Sequence, residues 1–273
     1  LLKQKLEINN FNNYIAILGD INDSNLLNYL FKKYNFDYIF HSAAYKHVSI
    51  LEENILSAIK NNVLSTALLL NLCNKINKEV KFTFISTDKA DNPKSILGYT
   101  KRLGEVICNS FNDSKNINVN IVRFGNVFAS RGSAVPLFIK QIKDNSTVTI
   151  TNKKAERYFM SIKQACSLVI KSSAIEKSKN KIFVLDMGKP IKILDLIYKL
   201  NSIYGENENL SIREIGLSKG EKLKETLSHN KKIFKSKVKD ILYIKDKSIE
   251  KNEIQNLINN LKDNIDNRNY NHL

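Results

Sequence analysis

The sequence predicts an α/β protein built on a doubly wound parallel sheet, and two observations carry that prediction. Strand-like and helix-like stretches alternate along the chain, an order that gathers parallel strands into one sheet with helices on both faces. The strand-like stretches are short, apolar and β-rich, as in Tyr14-Ile15-Ala16-Ile17-Leu18 and Val80-Lys81-Phe82-Thr83-Phe84-Ile85, which suits buried strands.

Taken in order, Leu1 to Ile8 reads as the end of a helix already in progress, with no cap before it. Tyr14 to Leu18 is a strand ending at Gly19-Asp20, and Asn22-Asp23-Ser24 opens a helix through Lys33. Asp37 to Ser42 is the next strand and runs into the small pair Ala43-Ala44. A long helical pattern covers Glu52 to Asn77, with a break. The central strand Val80 to Ile85 leads into a loop marked by Asn92-Pro93, where a helix is forbidden. After Gly98, the residues Leu103, Val106, Ile107 and Phe111 recur at helical spacing, and Val119 to Phe124 is another strand. Gly125 to Ser133 is a polar loop, Val135 to Ile142 an amphipathic helix, and Arg157-Tyr158-Phe159-Met160 precedes a helix through Lys171. A strand at Ile182 to Leu185, a helix at Ile193 to Leu200 and a turn at Gly216 to Lys222 follow. From Ser228 the chain is rich in Lys and Asn, ending in a helix at Ile249 to Asn264 and a frayed terminus.

A doubly wound dinucleotide fold opens with a strand, a glycine-rich turn and a helix that cradle the pyrophosphate. Here Gly19 is the first glycine, and neither Gly-x-Gly-x-x-Gly nor Gly-x-x-Gly-x-x-Gly follows it. The chain reads as one whose first strand, first helix and second strand are missing; a genuine fold that starts at Leu1 is the other reading.

Composition narrows the classes. The 273 residues can bury one large core or two unequal ones. No segment approaches eighteen consecutive apolar residues and Leu1 does not open a signal peptide, so no membrane segment is expected in this chain. Cys73, Cys108 and Cys166 match no metal spacing and sit in apolar helical patterns, which predicts buried free thiols in a reducing cytoplasm and no metal site. The formal charge of +16 suggests nucleic acid, but the lysines are scattered, without a dense stripe or interleaved aromatics. Nucleic acid is therefore not expected as a partner. The one local cluster, Lys231 to Lys239, reads as a solvated surface, and the basic field suits a small dianionic substrate.

The chemistry concentrates after the central strand, in Ser86-Thr87-Asp88-Lys89-Ala90. The carboxyl edge of an open α/β sheet is where ligands bind. A hydroxyl, a carboxylic acid and an amine in three consecutive residues can supply a hydrogen bond, an acid and a base. A loop with a helix cap and two solvated charges is the alternative.

Several ordered motifs add to this reading. They are His41-Ser42-Ala43-Ala44-Tyr45-Lys46-His47-Val48, Glu52-Glu53-Asn54, Asn62-Val63, Ser86-Thr87-Asp88-Lys89-Ala90, Arg123-Phe124-Gly125-Asn126-Val127 and Arg157-Tyr158-Phe159-Met160. Between residues 14 and 227 the chain resembles the polysaccharide-biosynthesis (CapD-like) branch of the extended short-chain dehydrogenase/reductases, the UDP-N-acetylglucosamine 4,6-dehydratase type. The resemblance implies a Rossmann-like NAD(P)-binding domain over 1–130 that lacks its first βαβ, and a smaller substrate-binding part over 131–227 interleaved with returning sheet elements. A Lys/Asn-rich extension covers 228–273.

The resemblance also implies a reaction. NAD or NADP, held tightly, takes hydride from sugar C4; water is eliminated across C5 and C6; hydride returns to C6. The C4 ketone makes the C5 proton acidic, so a base must take it while an acid protonates the departing C6 hydroxyl. By family motif Asp88 is the acid, Lys89 the base and Thr87 the hydrogen-bond partner of the C4 oxygen, which asks for a lowered Lys89 pKa and a raised Asp88 pKa. Lys101 resembles the lysine on the nicotinamide ribose; Asp20 and Ile21 the pair beside the adenine; Ala43 and Ala44 a close approach of backbone to cofactor. Asn126 and Arg157 resemble the residues near the sugar diphosphate, and Lys46 and His47 are further candidates to line the pocket. A UDP-sugar substrate, a homo-oligomer and a cytoplasmic site, including the cytoplasmic domain of a membrane-anchored protein, complete the implied picture.

Two positions depart from the family pattern. The usual Tyr-x-x-x-Lys carries Leu97 in the tyrosine place, as membrane-anchored relatives carry methionine, and Tyr99 lies about 200° around the helix from Lys101. Ser218-Lys219-Gly220-Glu221-Lys222 replaces Arg-Pro-Gly-Glu-Lys, leaving Lys219 or Lys222 as substitute diphosphate contacts. The rival readings are a nucleotide-sugar epimerase of the same fold and a non-catalytic sugar-nucleotide-binding fragment.

Overall fold

The computed structural model describes residues 2–130, 132–176, 179–205, 210–247 and 249–267. Helix α1 (Leu2–Ile8) is followed by coil, α2 (Ser24–Lys33) and β1 (Tyr38–His41). Then come α3 (Val48–Glu53), α4 (Ile55–Ile59) and α5 (Ser65–Asn74), the last two joined by a π turn at Lys60–Leu64. β2 (Val80–Thr87), α6 (Ile96–Ser110) and β3 (Ile117–Phe124) form the centre. The chain leaves the sheet through β4 (Asn126–Val127), α7 (Ala134–Lys143), β5 (Val148–Ile150), β6 (Glu156–Arg157), β7 (Phe159–Met160) and α8 (Ile162–Ser173). It returns with β8 (Lys181–Leu185), adds β9 (Ile191–Lys192), α9 (Ile193–Tyr204) and β10 (Ile212–Glu214), and closes with β11 (Ile233–Lys235), β12 (Ile241–Lys245) and α10 (Lys251–Asp266).

The main sheet has the order β1-β2-β3-β8-β12-β11, the first four strands parallel and the last two antiparallel. Strand periodicity divides its residues between two cores. Val80, Phe82, Phe84, Ile117, Val119, Ile121, Ile182 and Val184 face α5 and α6, where Leu70, Ile107 and Cys108 are fully buried. Val122, Phe183 and Leu185 face α8 through Met160, Ala165 and Leu168. Helices therefore cover both faces, as alternation predicts. A separate small core joins α7, α9, β5 and β10 through Val135, Phe138, Ile150 and Ile197.

Local chemistry sets the helix starts. Ser95 accepts the Gly98 N–H at the head of α6, and the Glu52 carboxylate accepts the Ile96 N–H at 2.7 Å. Ser161 and Gln164 form a capping box on α8. Ile55–Asn74 is long and apolar enough to cross a membrane by length and composition, and here it lies in the core, with Val63, Leu70 and Cys73 fully buried.

Three expectations are corrected. Tyr14 to Leu18 is coil, with Ile15, Ile17 and Leu18 exposed; a strand needs a neighbour, and among the described residues none lies beside it. β1 is accordingly an edge whose outer side pairs with no described strand, and Tyr38 and Phe40 on it are exposed. Cys166 is exposed on α8, whereas Cys73 and Cys108 are the buried free thiols expected. The Lys/Asn-rich stretch is more ordered than its composition suggests, because β11 and β12 form a hairpin that extends the sheet. Lys232, Lys235, Lys237 and Lys239 are solvated as expected, but Lys231 pairs with Asp246 at 2.7 Å. The frayed terminus falls on 268–273, outside the described residues.

Candidate active site

The site forms where β2 and β3 end side by side. Thr87 pairs in register with Phe124, so the turn after one strand faces the turn after the other. Asp88–Ala90 is a single 3₁₀ turn capped by Thr87, whose hydroxyl accepts the Lys89 N–H at 3.4 Å and donates to Asp88 Oδ1 at 2.8 Å. Opposite stands Gly125, where a Cβ would come within 3.0 Å of both Asp88 Oδ2 and the Tyr158 backbone. A bare Cα lets the two strand ends close around the carboxylate without displacing either neighbour.

Lys89 Nζ lies 3.1 Å from Asp88 Oδ1, 3.4 Å from Asn126 Oδ1 and 3.6 Å from Glu225 Oε1. Asp88 is fully buried, and its Oδ2 has no hydrogen-bond partner. A buried acceptor of this kind calls for a donor, and a ligand hydroxyl is one. The expected lowering of the Lys89 pKa is reversed. Burial alone would lower it, but the charges of Asp88 and then Glu225 outweigh burial and raise it, so Lys89 rests as an ammonium.

Lys101 is buried on α6, with its amine donating to the Ile85 carbonyl at 2.8 Å and lying 4.8 Å from the Phe84 ring centroid. Burial brings its pKa down to about 8 against the opposing charges of Cys108 and Glu105. Leu97, one turn earlier, packs with Leu51 and Ala58, and Tyr99 is exposed on another face. No hydroxyl therefore takes the tyrosine's place on α6. Asn62 links the loop after β1 to this helix: its amide is paired with the Tyr45 N–H and carbonyl at 2.8 and 3.1 Å and donates to Thr100 at 3.1 Å. Ala43, exposed, and Ala44, half-buried, lie in the loop that Asn62 ties at Tyr45 to Thr100, the neighbour of Lys101 on α6. Among the described residues no glycine-rich turn offers backbone N–H groups to a pyrophosphate. Asp20 and Ile21 lie on the coil before α2, where the Asn22 N–H donates to Asp20 at 2.8 Å and lowers its pKa; Lys46 is exposed after β1.

The substrate-side candidates face inward. Arg157 directs its guanidinium to Glu221 at 2.7 Å and to the carbonyls of Glu156 and Leu223 at 2.9 and 3.0 Å. Lys222 donates to the Asp91 carbonyl at 2.7 Å and lies 3.3 Å from Glu225. Lys219 is exposed. Of the predicted residues, Thr87, Asp88, Lys89 and Asn126 share one hydrogen-bonded group, and Lys222 joins it through Glu225.

Sequence reasoning missed the frame behind this group. Arg123, 1% exposed, pairs with Glu105 at 2.5 and 2.6 Å and with Asp91 at 3.2 Å. Glu105 also accepts from Ser86, and Asp91 from Thr226 and the His229 N–H. Glu225 was missed as well. It sits in the charge-rich run Glu221-Lys222-Leu223-Lys224-Glu225, which has no periodic signal to separate a buried carboxylate from a solvated one.

Comparison with known proteins matches residues 2–246 to the family described as polysaccharide biosynthesis protein. Capsular polysaccharide biosynthesis protein CapD of Staphylococcus aureus is 38% identical over 232 residues, 84% of this chain and 38% of that protein. The chain thus spans little more than a third of that relative's length. The inverting UDP-N-acetylglucosamine 4,6-dehydratase of Campylobacter jejuni is 32% identical, over 77% of this chain and 61% of that protein. A UDP-glucose 4-epimerase of Rickettsia canadensis is 36% identical, over 70% and 55%. Among solved structures, Pen from Bacillus thuringiensis superposes with a TM-score of 0.78 at 32% identity, covering 95% of this chain and 85% of that one. DesIV of Streptomyces venezuelae, a dTDP-glucose 4,6-dehydratase with NAD bound, shares the fold at a TM-score of 0.71 and 19% identity, covering 83% and 74%. The family match runs from α1 through the main sheet and past Glu225 to Asp246, and on that extent the chain belongs to the polysaccharide biosynthesis protein family.

Proposed function

We propose that the chain carries the active site of a nucleotide-sugar 4,6-dehydratase acting on UDP-N-acetylglucosamine. The observation that carries the reading is the contact of Lys89 with Asp88 at 3.1 Å, beside an Asp88 oxygen left without a partner. Moving one proton from Lys89 Nζ to Asp88 turns this ion pair into an amine beside a carboxylic acid. These are the base and the acid that elimination requires, and no proton is drawn from water. Excluding solvent favours the uncharged pair, because both ions lose hydration. Lys89 then removes the C5 proton, Asp88 protonates the departing C6 hydroxyl, and the original ion pair is restored. Thr87 would turn its hydroxyl from Asp88 to donate to the C4 oxygen, and Asn126 would hold the sugar beside Lys89.

A bound NAD or NADP supplies the hydride exchange at C4 and C6. Ala43, Ala44 and Lys101 would hold its nicotinamide ribose, and Asp20 and Ile21 its adenine side. Arg157 and Lys222 would meet the diphosphate only after leaving their present acceptors. Buried free thiols at Cys73 and Cys108 suit a cytoplasmic site. Oxidation at C4 also releases the hydroxyl proton, which with Leu97 in the tyrosine place passes to a base other than a phenolate. The epimerase reading is weaker because epimerisation has no use for an elimination acid and base such as Asp88 and Lys89.

Mass spectrometry after incubation with UDP-N-acetylglucosamine and NAD(P) tests the proposal. Loss of water supports it, an unchanged mass with a new isomer replaces it with epimerisation, and no change reduces the chain to binding. Asp88→Asn should cut turnover by ~10²-fold or more while sparing sugar binding; undiminished turnover refutes the assignment.

A further inference from the structure

We propose that Glu225 is a positioning residue of this site, a second carboxylate that holds the Lys89 amine in place and stabilises the positive charge it acquires when it takes a proton. The inference rests on the dehydratase reading for its chemistry, though not for its geometry. Glu225 lies on the segment that follows Lys222, far from the β2 turn in sequence, and its side chain is 2% exposed. Its Oε1 is 3.6 Å from Lys89 Nζ. Its Oε2 is 3.3 Å from Lys222 Nζ yet lacks a well-directed hydrogen bond. A carboxylate taken so far out of water persists as an anion only beside cations. Glu225 thus lies between two ammonium groups, Lys222 at Oε2 and Lys89 at Oε1, and of the two Lys89 is the one on the acid–base turn.

The charged groups facing Lys89 are Asp88 from its own turn, Glu225 from the segment after Lys222, and Arg157 from β6. Their effects differ over a reaction cycle. Asp88 exchanges a proton with Lys89 and with substrate, so its charge comes and goes. Arg157 opposes an ammonium throughout. Glu225 touches neither the reacting carbon nor the leaving group, and so exchanges no proton with the substrate. When the C5–H bond breaks, the proton binds the Lys89 lone pair and the electron pair passes to the sugar. The ammonium so formed has Glu225 against it even while Asp88 is neutral.

Glu225→Gln keeps the shape and removes the charge. We expect kcat to fall ~10-fold or more with KM for the nucleotide sugar nearly unchanged, and the acidic limb of the kcat–pH profile to move ~1 unit lower. Glu225→Asp should recover part of both. A second measurement needs no turnover: the pH dependence of Lys89 acylation by an amine-selective reagent, followed by peptide mass spectrometry in the full chain. Lys89 in Glu225→Gln should react faster than in the unaltered protein at the same pH. An unmoved acylation profile overturns the inference, as does a kcat loss with no shift in the pH limb. If the unaltered protein releases no water from the sugar, the dehydratase reading fails, and acylation still decides whether Glu225 governs Lys89.

Discussion

Gly98 stands directly under the carbonyl of Lys89: a Cβ at position 98 would lie 2.5 Å from that oxygen and 3.1 Å from Pro93 Cβ. The first turn of α6 thus sets the height of the candidate acid–base turn. Backbone cannot rotate aside as a side-chain end can, so Gly98→Ala must move either the helix or Lys89. We expect a stability loss of ~1–3 kcal/mol by urea unfolding, although alanine is the better helix former, and a fall in turnover at saturating substrate. A stabilised variant would show that the helix yields without strain.

The buried ion cluster behind the turn gives a second prediction. Arg123→Met leaves Glu105 and Asp91 without their shared guanidinium, and breaking a buried pair from one side costs ~3–5 kcal/mol. Arg102 still reaches Glu105 at 3.0 Å, so Asp91 should be the more disturbed carboxylate. Because Asp91 also holds Thr226 and His229, the segment bearing Lys222 and Glu225 should loosen. Hydrogen exchange at 222–229 that stays as slow as in the unaltered protein would contradict this.

Two groups set the acid stability, in different windows. Burial, with some help from the Lys101 charge, holds the His41 ring down at about 3, neutral between Phe82 and Phe84. The unfolded chain takes up that proton near pH 6.5 and the folded chain refuses it, so stability falls as pH drops from 6.5 toward 3. Burial would raise the Asp246 carboxyl, but hydrogen bonds from Arg102 and Lys231 overcome it and hold the group at about 2. Its contribution is present above 3.8 and disappears as pH falls through 2. Unfolding free energy measured against pH should show both slopes. Asp246→Asn should flatten only the lower one, by ~1 kcal/mol after allowance for solvent screening.

The alternating order of strands and helices was legible because each element carries its own period, and Asp23 marks a helix start with its cap. Thr87, Asp88 and Lys89 were legible because they stand at the carboxyl end of a strand, and Asn126 through the family resemblance. What could not be read depends on partners distant in sequence. Tyr14 to Leu18 has the composition of a strand and, among the described residues, no neighbour to make it one, while β11 and β12 form because β8 offers an edge. Glu225 and Asp91 look like any surface carboxylate until the fold removes their water. The charge of Lys89 was misjudged partly for the same reason: beside Asp88, a second carboxylate over 130 positions away adds to the rise of its pKa.

The outer side of β1, which pairs with no described strand, bears on how this chain behaves at high concentration. Tyr38 to His41 presents backbone donors and acceptors flanked by two exposed rings, the arrangement on which a foreign strand can template itself. Solubility and the yield of refolding should therefore worsen as concentration rises, and Phe40→Lys, which places a charge on that rim, should improve both.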